Sequence, residues 1–529
     1  MDVRLDPAHL LARGGGVGGG VKPVGVEGKR VAVLGLGRSG LAVAQACLER
    51  GAKPSVFDSK SRASLAKPEI AHQLEELNVP LTFEFEGHWT PAEFDMVVTN
   101  PAVHRKHPTL VNSAQAGVEV VSEVEFAHRI SLAPIVAITG TNGKSTTTVM
   151  TWLALRACGE DAILCGNLYG SGYEERPLTE AAAQARRGQV LVAEISSFQL
   201  EWIHQFRPIV AGITTITPDH LDRYDNSFEE YAQTKHQIWR NLTETEFAVC
   251  REDDPHVKPP NSGQGVVRGR PNSLRARAET RTPRVFTFGP RGADASASEK
   301  GFAVFGRSVL PGSLPFRESH NLLNAAMALL ITTGVLGWRE RRDPLSRAAI
   351  LLAEARRQGQ VPRKKRVSLG MVPDYGVPEI AIEGLKQFRG LAHRMQAVGE
   401  RDGVLVINNS MCTNPDAVIK SAQGVGRPSR LLIGGVNKEL DFAPLKRFLA
   451  SSPHVAYLFG SDAPALGKML DQEDRVYQTM EQAFVAASEA AKDGEAIMLS
   501  PGCASTDQFR DFVDRGNVFT QLATDWLAR

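Results

Sequence analysis

Short apolar runs alternate with helix-compatible stretches through most of this chain. The first run, V-A-V-L-G from Val31, leads into Gly35-L-Gly37-R-S-Gly40 and a helical stretch to about Arg50. A second, P-S-V-F, ends at Asp58, and F-D-M-V-V-T-N-P near 94–101, a helix around 108–116 and V-E-V-V-S-E-V-E-F follow. Ile135 to Ile138 are four β-formers, succeeded by a Gly/Thr/Asn turn and a helical run through Leu155. Strands come next in A-E-I-S-S-F-Q-L-E (193–201) and I-V-A-G-I-T-T-I-T (209–217), then a helix in Y-A-Q-T-K-H-Q-I-W (231–239). H-N-L-L-N-A-A-M-A-L-L (320–330) has helical spacing and places Asn321 and Asn324 near one another at i, i+3. Beyond about 390 the alternation resumes in G-V-L-V-I-N-N-S, R-L-L-I-G-G-V-N-K, A-Y-L-F-G and A-I-M-L-S. Continuous apolar runs bounded by turns and separated by helices predict an α/β fold with mostly parallel sheets.

A chain of 529 residues is too long for one core, and length alone suggests roughly three domains. The expected division is a flexible tail at 1–28, which contains G-G-G-V-G-G-G, then domains at 29–133, 134–388 and 389–529. Residues 251–283 are rich in Pro, Arg and Gly and read as a loosely ordered surface loop. Residues 339–366 hold ten Lys/Arg against three Asp/Glu. They read as a solvated basic insertion in the central domain, with a nucleic-acid-binding segment as the alternative. Composition otherwise adds little: 42% hydrophobic, 23% charged and a formal net charge of +2 predict no dominant attraction to nucleic acid or membranes. Cys47, Cys158, Cys165, Cys250, Cys412 and Cys503 show no C-x-x-C spacing and read as reduced thiols. There is neither a signal-peptide pattern nor roughly 18 uninterrupted apolar residues, so a cytoplasmic protein is expected.

The candidate chemistry centres on G-T-N-G-K-S-T at Gly140–Thr146. Strand, glycine turn and helix fall in the order of a phosphate-binding loop, although the strict pattern needs a glycine where Ile138 stands. Backbone N–H groups of Gly140, Thr141, Asn142 and Gly143 would close on phosphate oxygens, and the helix would add its positive N-terminal end. Lys144 would bring charge to the β/γ-phosphates, and Ser145 or Thr146 a hydroxyl to Mg²⁺. Gly35 to Gly40 form a literal G-x-G-x-x-G followed by an acidic residue, Asp58, at dinucleotide spacing. That turn suits NAD(P) or any other pyrophosphate, UDP-linked ones included. Glu194 and His220 end or follow strands and project at the edge where the phosphate loop sits. A carboxylate suits Mg²⁺, and a neutral imidazole can take a further metal position. Taken singly, Glu194, His220 and Lys235 read equally as a capping carboxylate, a core histidine and a surface lysine.

The order phosphate loop, E-x-S-S-F-Q-L-E, D-H-L-D-R-Y, Y-x-x-x-K resembles the Mur ligases. So do G-L-A-H-R (390–394), G-G-V-N-K-E-L-D-F (434–442) and S-P-G-C-A-S-T-D-Q-F (500–509). The resemblance spans roughly 29–335 and 380–525. It implies three domains: a Rossmann-like N-terminal domain for a UDP-sugar, a central P-loop-type ATPase domain with a mostly parallel sheet, and a Rossmann-like C-terminal domain for an amino acid. S-S-F-Q-L-E and D-H-L-D-R-Y resemble in particular the branch joining D-glutamate to UDP-N-acetylmuramoyl-L-alanine in peptidoglycan precursor synthesis, which implies that reaction here. L-glutamate, another amino acid, or a non-catalytic ATP-binding paralogue are the alternatives. The implied mechanism runs through an acyl phosphate, with ATP and two Mg²⁺ ions. Lys144, Glu194, His220 and Lys235 are the implied catalytic residues. Ser145, Glu194, His220 and a CO₂-derived carbamate on Lys235 are the implied metal ligands. Asn321, Asn324 and Arg394 would join the loop in contacting ATP. The UDP-sugar would meet Arg38, Ser39, Asp58, Ser59, Asn100, Asn167 and Gln199, and the amino acid Thr413, Lys438, Ser505 and Phe512. A monomer without nucleic-acid partners is expected.

Three departures from the family pattern stand out. D-S-K-A-T-N reads N-S-M-C-T-N at Asn409–Asn414, which removes a carboxylate and an ammonium together. G-N-I-G-x-P reads G-N-L-Y-G-S-G at Gly166–Gly172, placing Tyr169 beside Asn167, where it is expected to alter the approach to the sugar. The third is the basic insertion.

Overall fold

Most apolar runs become strands whose glycine or polar turn marks the carboxyl end. A-E-I-S-S-F-Q-L-E, however, is extended only to Glu194 before a 3₁₀ turn at Phe198–Leu200, and the run at 209–217 is a strand only from Val210 to Ile213. The polar Ser and Thr residues that follow end the apolar run in each. The computed structural model describes residues 25–65, 67–259, 282–291, 294–298, 301–309, 313–342, 379–437 and 440–529. Most of the expected tail, residues 260–281 of the Pro/Arg/Gly-rich loop, residues 343–366 of the basic insertion and Lys438 therefore lie outside the described residues. The chain forms two compact units, Met1–Asn167 with Glu175–Phe388, and Leu168–Glu174 with Arg389–Arg529.

The first unit contains two sheets. β1 (Arg30–Leu34), β2 (Lys53–Phe57), β3 (Leu81–Thr82), β4 (Met96–Thr99) and β5 (Glu119–Ser122) lie in the order β3-β2-β1-β4-β5. Every neighbouring pair is parallel. Strand order reverses at β1, which opens a crevice at its carboxyl end. V-E-V-V-S-E-V-E-F divides into β5 and the helix Glu123–Ile130 because the Ser122 hydroxyl accepts from the Glu125 N–H at 3.3 Å and caps the helix.

The second sheet comprises β6 (Ile135–Thr139), β7 (Ala162–Gly166), β8 (Val190–Glu194), β9 (Val210–Ile213), β10 (Phe247–Arg251), β11 (Arg284–Gly289), β12 (Ala295–Ser298), β13 (Gly301–Val304) and β14 (Arg307–Val309). Its order is β14-β13-β12-β11-β10-β9-β6-β8-β7. Only the last two pairings, β12 with β13 and β13 with β14, are antiparallel. The periodicity reading missed this short extension, because Ala-Ser alternation carries little apolar signal. β6 lies between β8 and β9, so the turn after β6 is flanked by the ends of both. Strand residues of both sheets (Val33, Val121, Ile135 and Ala193) and helix residues between them (Phe126 and Leu178) share one contiguous core. The helix Ser319–Arg342 contains a stretch, Ser319–Glu340, long and apolar enough to cross a membrane, yet 89% of its most apolar window is buried in the protein.

The second unit is built on β15 (Gln396–Arg401), β16 (Val404–Asn408), β17 (Ser429–Gly434), β18 (Val455–Phe459), β19 (Val476–Tyr477) and β20 (Ala496–Gly502), in the order β15-β16-β20-β17-β18-β19. All neighbours but β15 and β16 are parallel. Separate apolar cores cover its two faces.

Candidate functional site

β6 is buried along its whole length and delivers Gly140 at the sheet's carboxyl edge. The helix Lys144–Ala157 begins at Gly143, whose φ of +83° lies in the left-handed region. The left-handed turn favours glycine, and a Cβ at Gly143 would fall 2.5 Å from Asn324 Oδ1, so any larger residue must also displace that amide. The loop is tied to the segment after β9. The Thr141 N–H donates to Thr215 O at 2.7 Å, the Asn142 N–H to Thr215 Oγ1 at 3.2 Å, and the Thr217 N–H to Thr141 Oγ1 at 3.0 Å. Lys144 Nζ folds back to donate to Thr141 O at 2.8 Å, and Ser145 and Thr146 are buried in the first helical turn. Asn324 meets the loop's helix through Thr147 Oγ1 at 3.3 Å, whereas Asn321 donates to Glu318 at 3.1 Å.

Lys235, on the helix Phe228–His236, is 2% exposed and donates from Nζ to Gly140 O at 2.9 Å. Its Nζ also stands 4.7 Å from the Tyr231 ring centroid. Burial first, then the nearby Lys144 charge, push its ammonium well below the usual lysine range, against the opposing pull of Asp219 and Glu194. Glu194, 2% exposed at the end of β8, accepts from Asn167 Nδ2 at 3.2 Å through Oε1. Its Oε2 is buried without a hydrogen-bond partner. A buried anionic oxygen left unsatisfied fits a cation ligand, so Glu194 suits Mg²⁺. His220 has φ +50° and a 56% exposed side chain, edge-on to Phe198 at 5.1 Å and 3.7 Å from Asp219. Among the described residues no three His, Cys, Asp or Glu side chains converge as a ligand set, so the structure brings Glu194 and Lys235 to the loop without closing a complete metal shell.

The expected sugar contacts lie mostly at the carboxyl ends of β1, β2 and β4. Arg38 opens the helix Arg38–Glu49 and pairs with Glu175 at 3.2 Å, with Ser39 half-buried beside it. Asp58 accepts the Leu36 N–H at 2.8 Å and the Lys60 N–H at 2.9 Å, which braces the glycine turn, and Ser59 is exposed. Asn100 Oδ1 accepts from the Ala102 N–H at 3.0 Å. Gln199 is buried: its Oε1 accepts from the Ser196 N–H at 2.9 Å, and its Nε2 donates to Glu123 Oε2 at 3.2 Å. Pattern reading overlooked Glu123, although S-E-V-E-F places it just after a strand end. Thr179 donates to Glu123 Oε1 from its N–H at 2.8 Å and its hydroxyl at 2.7 Å. Burial pushes the Glu123 carboxyl above its usual range despite these bonds.

In the second unit Arg394 donates to Met411 Sδ at 3.4 Å and 3.2 Å, so the methionine that departs from the family pattern receives the guanidinium. Asn409 is fully engaged: Nδ2 donates to Ser421 at 2.9 Å and Ser500 at 3.2 Å, and Oδ1 accepts from the Met395 N–H at 3.1 Å. Thr413 is exposed and precedes Asn414, whose side chain caps the helix Pro415–Val425. Ser505 is buried, and Phe512 opens the helix Phe512–Leu527. Beneath these loops lies Arg515, fully buried, which the sequence reading missed. It donates to Ser410 Oγ at 3.1 Å, Ser410 O at 3.0 Å, Cys503 O at 3.2 Å and Gly434 O at 3.4 Å, joining the three motif-bearing loops. Cys412 and Cys503 are buried and free, with burial pushing the Cys503 thiol up to about 12.

Comparison with known proteins agrees with this arrangement. The family description "Mur ligase MurD-like, N-terminal domain" matches residues 29–122, and "Mur ligase middle domain" matches 138–332. The chain is 32% identical over 505 residues to a UDP-N-acetylmuramoylalanine–D-glutamate ligase of Caldanaerobacter subterraneus subsp. tengcongensis, covering 94% of this chain and 98% of the relative. A protein of the same name from Geotalea daltonii is 33% identical, with coverage of 93% and 97%. Among solved structures, UDP-N-acetylmuramate–alanine ligase from Thermotoga maritima matches with a TM-score of 0.51 at 16% identity, covering 94% of this chain and all of that one, a likeness of fold. With relatives above 30% identity along nearly the whole of both chains, this chain belongs to the Mur ligase family.

Proposed function

We propose that the chain joins D-glutamate to the carboxylate of UDP-N-acetylmuramoyl-L-alanine, converting ATP to ADP and phosphate in peptidoglycan precursor synthesis. The observation that carries this reading is the meeting of the phosphate loop and the buried Lys235 at Gly140, in a chain matched along 94% of its length by relatives of that name. The substrate carboxylate attacks the γ-phosphorus of ATP and ADP leaves. The amino group of glutamate then adds to the acyl-phosphate carbonyl, and the tetrahedral adduct expels phosphate. Little covalent work falls to the protein, whose task is positioning and charge. Lys144 and the N–H groups of Gly143 to Thr146 hold phosphate oxygens and stabilise the charge that develops on them, while the Thr141 and Asn142 N–H groups, expected to join them, are spent on Thr215 and hold the loop in shape. Asn321, Asn324 and Arg394 contribute to nucleotide binding. The crevice of Arg38, Ser39, Asp58, Ser59 and Asn100, with Asn167 and Gln199, takes the UDP-sugar. Thr413, Lys438, Ser505 and Phe512 take the amino acid.

Ser145, Glu194, His220 and a carbamate on Lys235 would hold two Mg²⁺ ions, which supply positive charge to phosphate oxygens. The depressed basicity of Lys235 supports the carbamate, because the neutral amine is the form that adds CO₂, releasing a proton and becoming an anionic oxygen donor. A cytoplasmic monomer completes the reading.

The test is phosphate release from ATP with UDP-N-acetylmuramoyl-L-alanine and, in separate reactions, D-glutamate, L-glutamate and other amino acids. Release that depends on D-glutamate is expected. Release only with another amino acid reassigns the substrate and implicates Asn409 and Met411, and ATP binding without release in any mixture refutes ligase activity.

A further inference from the structure

The segment Leu168–Glu174 packs as part of the second unit, although the sequence places it between β7 and β8. Tyr169, expected to alter the approach to the sugar, has its hydroxyl donating to Asp511 Oδ2 at 2.7 Å. Asp511 is the cap of the helix Phe512–Leu527, and its other oxygen, Oδ1, accepts the Val513 and Asp514 N–H groups, each at 3.0 Å. One carboxylate thus binds the helix start to the Tyr169 hydroxyl through a charge-assisted bond. The Tyr169 ring stands edge-on to Phe512 at 5.9 Å and 89°, while His393 stands edge-on to the same ring at 6.4 Å and 84°. Gly170, at φ +76°, brings the backbone in so closely that a Cβ would fall 2.5 Å from Val513 Cγ2 and 3.1 Å from the Phe512 ring. The Phe512 carbonyl accepts the Ser410 hydroxyl at 2.7 Å, which leaves its side chain as the adjustable part of this turn.

We propose that Tyr169 is a positioning residue for the amino-acid substrate, holding the Phe512 ring and the first turn of its helix in one setting through Asp511. The inference rests on the reading that Phe512 meets the incoming glutamate, and it assigns to a departure from the family pattern a role on the amino-acid side of the reaction. Tyr169→Phe keeps the edge-on ring and removes only the hydroxyl. Asp511→Asn keeps an oxygen to cap the helix while weakening its bond to Tyr169.

Steady-state kinetics with each substrate varied in turn, together with the thermal midpoint of each variant, test this. Tyr169→Phe is expected to raise KM for D-glutamate about tenfold, the scale of one charge-assisted hydrogen bond. kcat and KM for ATP and for the UDP-sugar should each change less than about twofold, and the thermal midpoint should stay within about 2 °C of wild type. Tyr169→Leu, which also loses the ring contact, should raise KM for D-glutamate further. In an Asp511→Asn background the Tyr169→Phe change should have little additional effect. Unchanged KM for D-glutamate in both Tyr169 variants overturns the inference, as does an equal rise for all three substrates or full additivity with Asp511→Asn. A wild-type chain that releases no phosphate with D-glutamate overturns the activity and this inference with it. An active wild type with unaltered variants overturns the inference alone.

Discussion

Arg223, inside D-H-L-D-R-Y, offers a direct test of what this motif does. The motif draws attention for chemistry, yet Arg223 is 6% exposed and bonded in two directions. Its Nε and Nη2 donate to the two oxygens of Glu201 at 2.8 Å and 2.7 Å, Nη2 also donates to Val103 O at 2.7 Å, and the guanidinium lies 4.1 Å over Phe198. The Glu201 side chain is 2% exposed. Arg223→Met keeps much of the aliphatic stem but strands that carboxylate in the interior and frees the Val103 carbonyl. Breaking a buried pair from one side costs about 3–5 kcal/mol, chiefly through the charge left behind. Removing both members in Arg223→Met/Glu201→Met deletes the stranded charge and should recover at least half of that loss. Urea unfolding followed by tryptophan fluorescence measures both differences. A single variant within about 1 kcal/mol of wild type would refute the assignment of Arg223 as a buried brace. A double variant no more stable than the single would show that the stranded Glu201 charge is not the cause.

Other outcomes follow from the same geometry. Gly143→Ala forces a left-handed alanine into Asn324, costing about 1–2 kcal/mol before the collision is counted. ATP affinity, measured by calorimetry, should fall at least about tenfold while UDP-sugar binding persists; equal loss of both ligands would mean the fold itself had failed. Lys235→Ala should lose turnover and regain part of it with acetate, a small carboxylate able to stand in for the carbamate, and absence of rescue counts against the carbamate. Burial against Phe206 lowers His128 from the ordinary 6.5 to about 4. A depressed histidine is neutral in the fold, so its contribution is intact above about 6.5 and is lost as pH falls towards 4, by about 3 kcal/mol in all. His128→Leu should flatten the dependence of unfolding free energy on pH across that window, and an unchanged slope would sink the assignment.

The phosphate loop was legible because its signal is local. A buried run, a glycine able to take φ +83° and a helix start within twelve residues each depend only on neighbours along the chain. The glycine turn after β1 and the α/β alternation were legible for the same reason, and resemblance supplied roles for residues that spacing alone leaves ambiguous, Glu194 and Lys235 among them. Tertiary structure decided what those residues experience. Lys235 reads as a surface lysine in isolation and becomes a buried amine only when its helix packs against Gly140. Glu123 and Gln199, Glu201 and Arg223, and Tyr169 and Asp511 pair through folding alone, the last across 342 residues of sequence. Periodicity records which face of an element is apolar, but not which element will cover it. Desolvation and hydrogen-bond partners, which set the charge and the orientation of these side chains, arise only once that covering is in place.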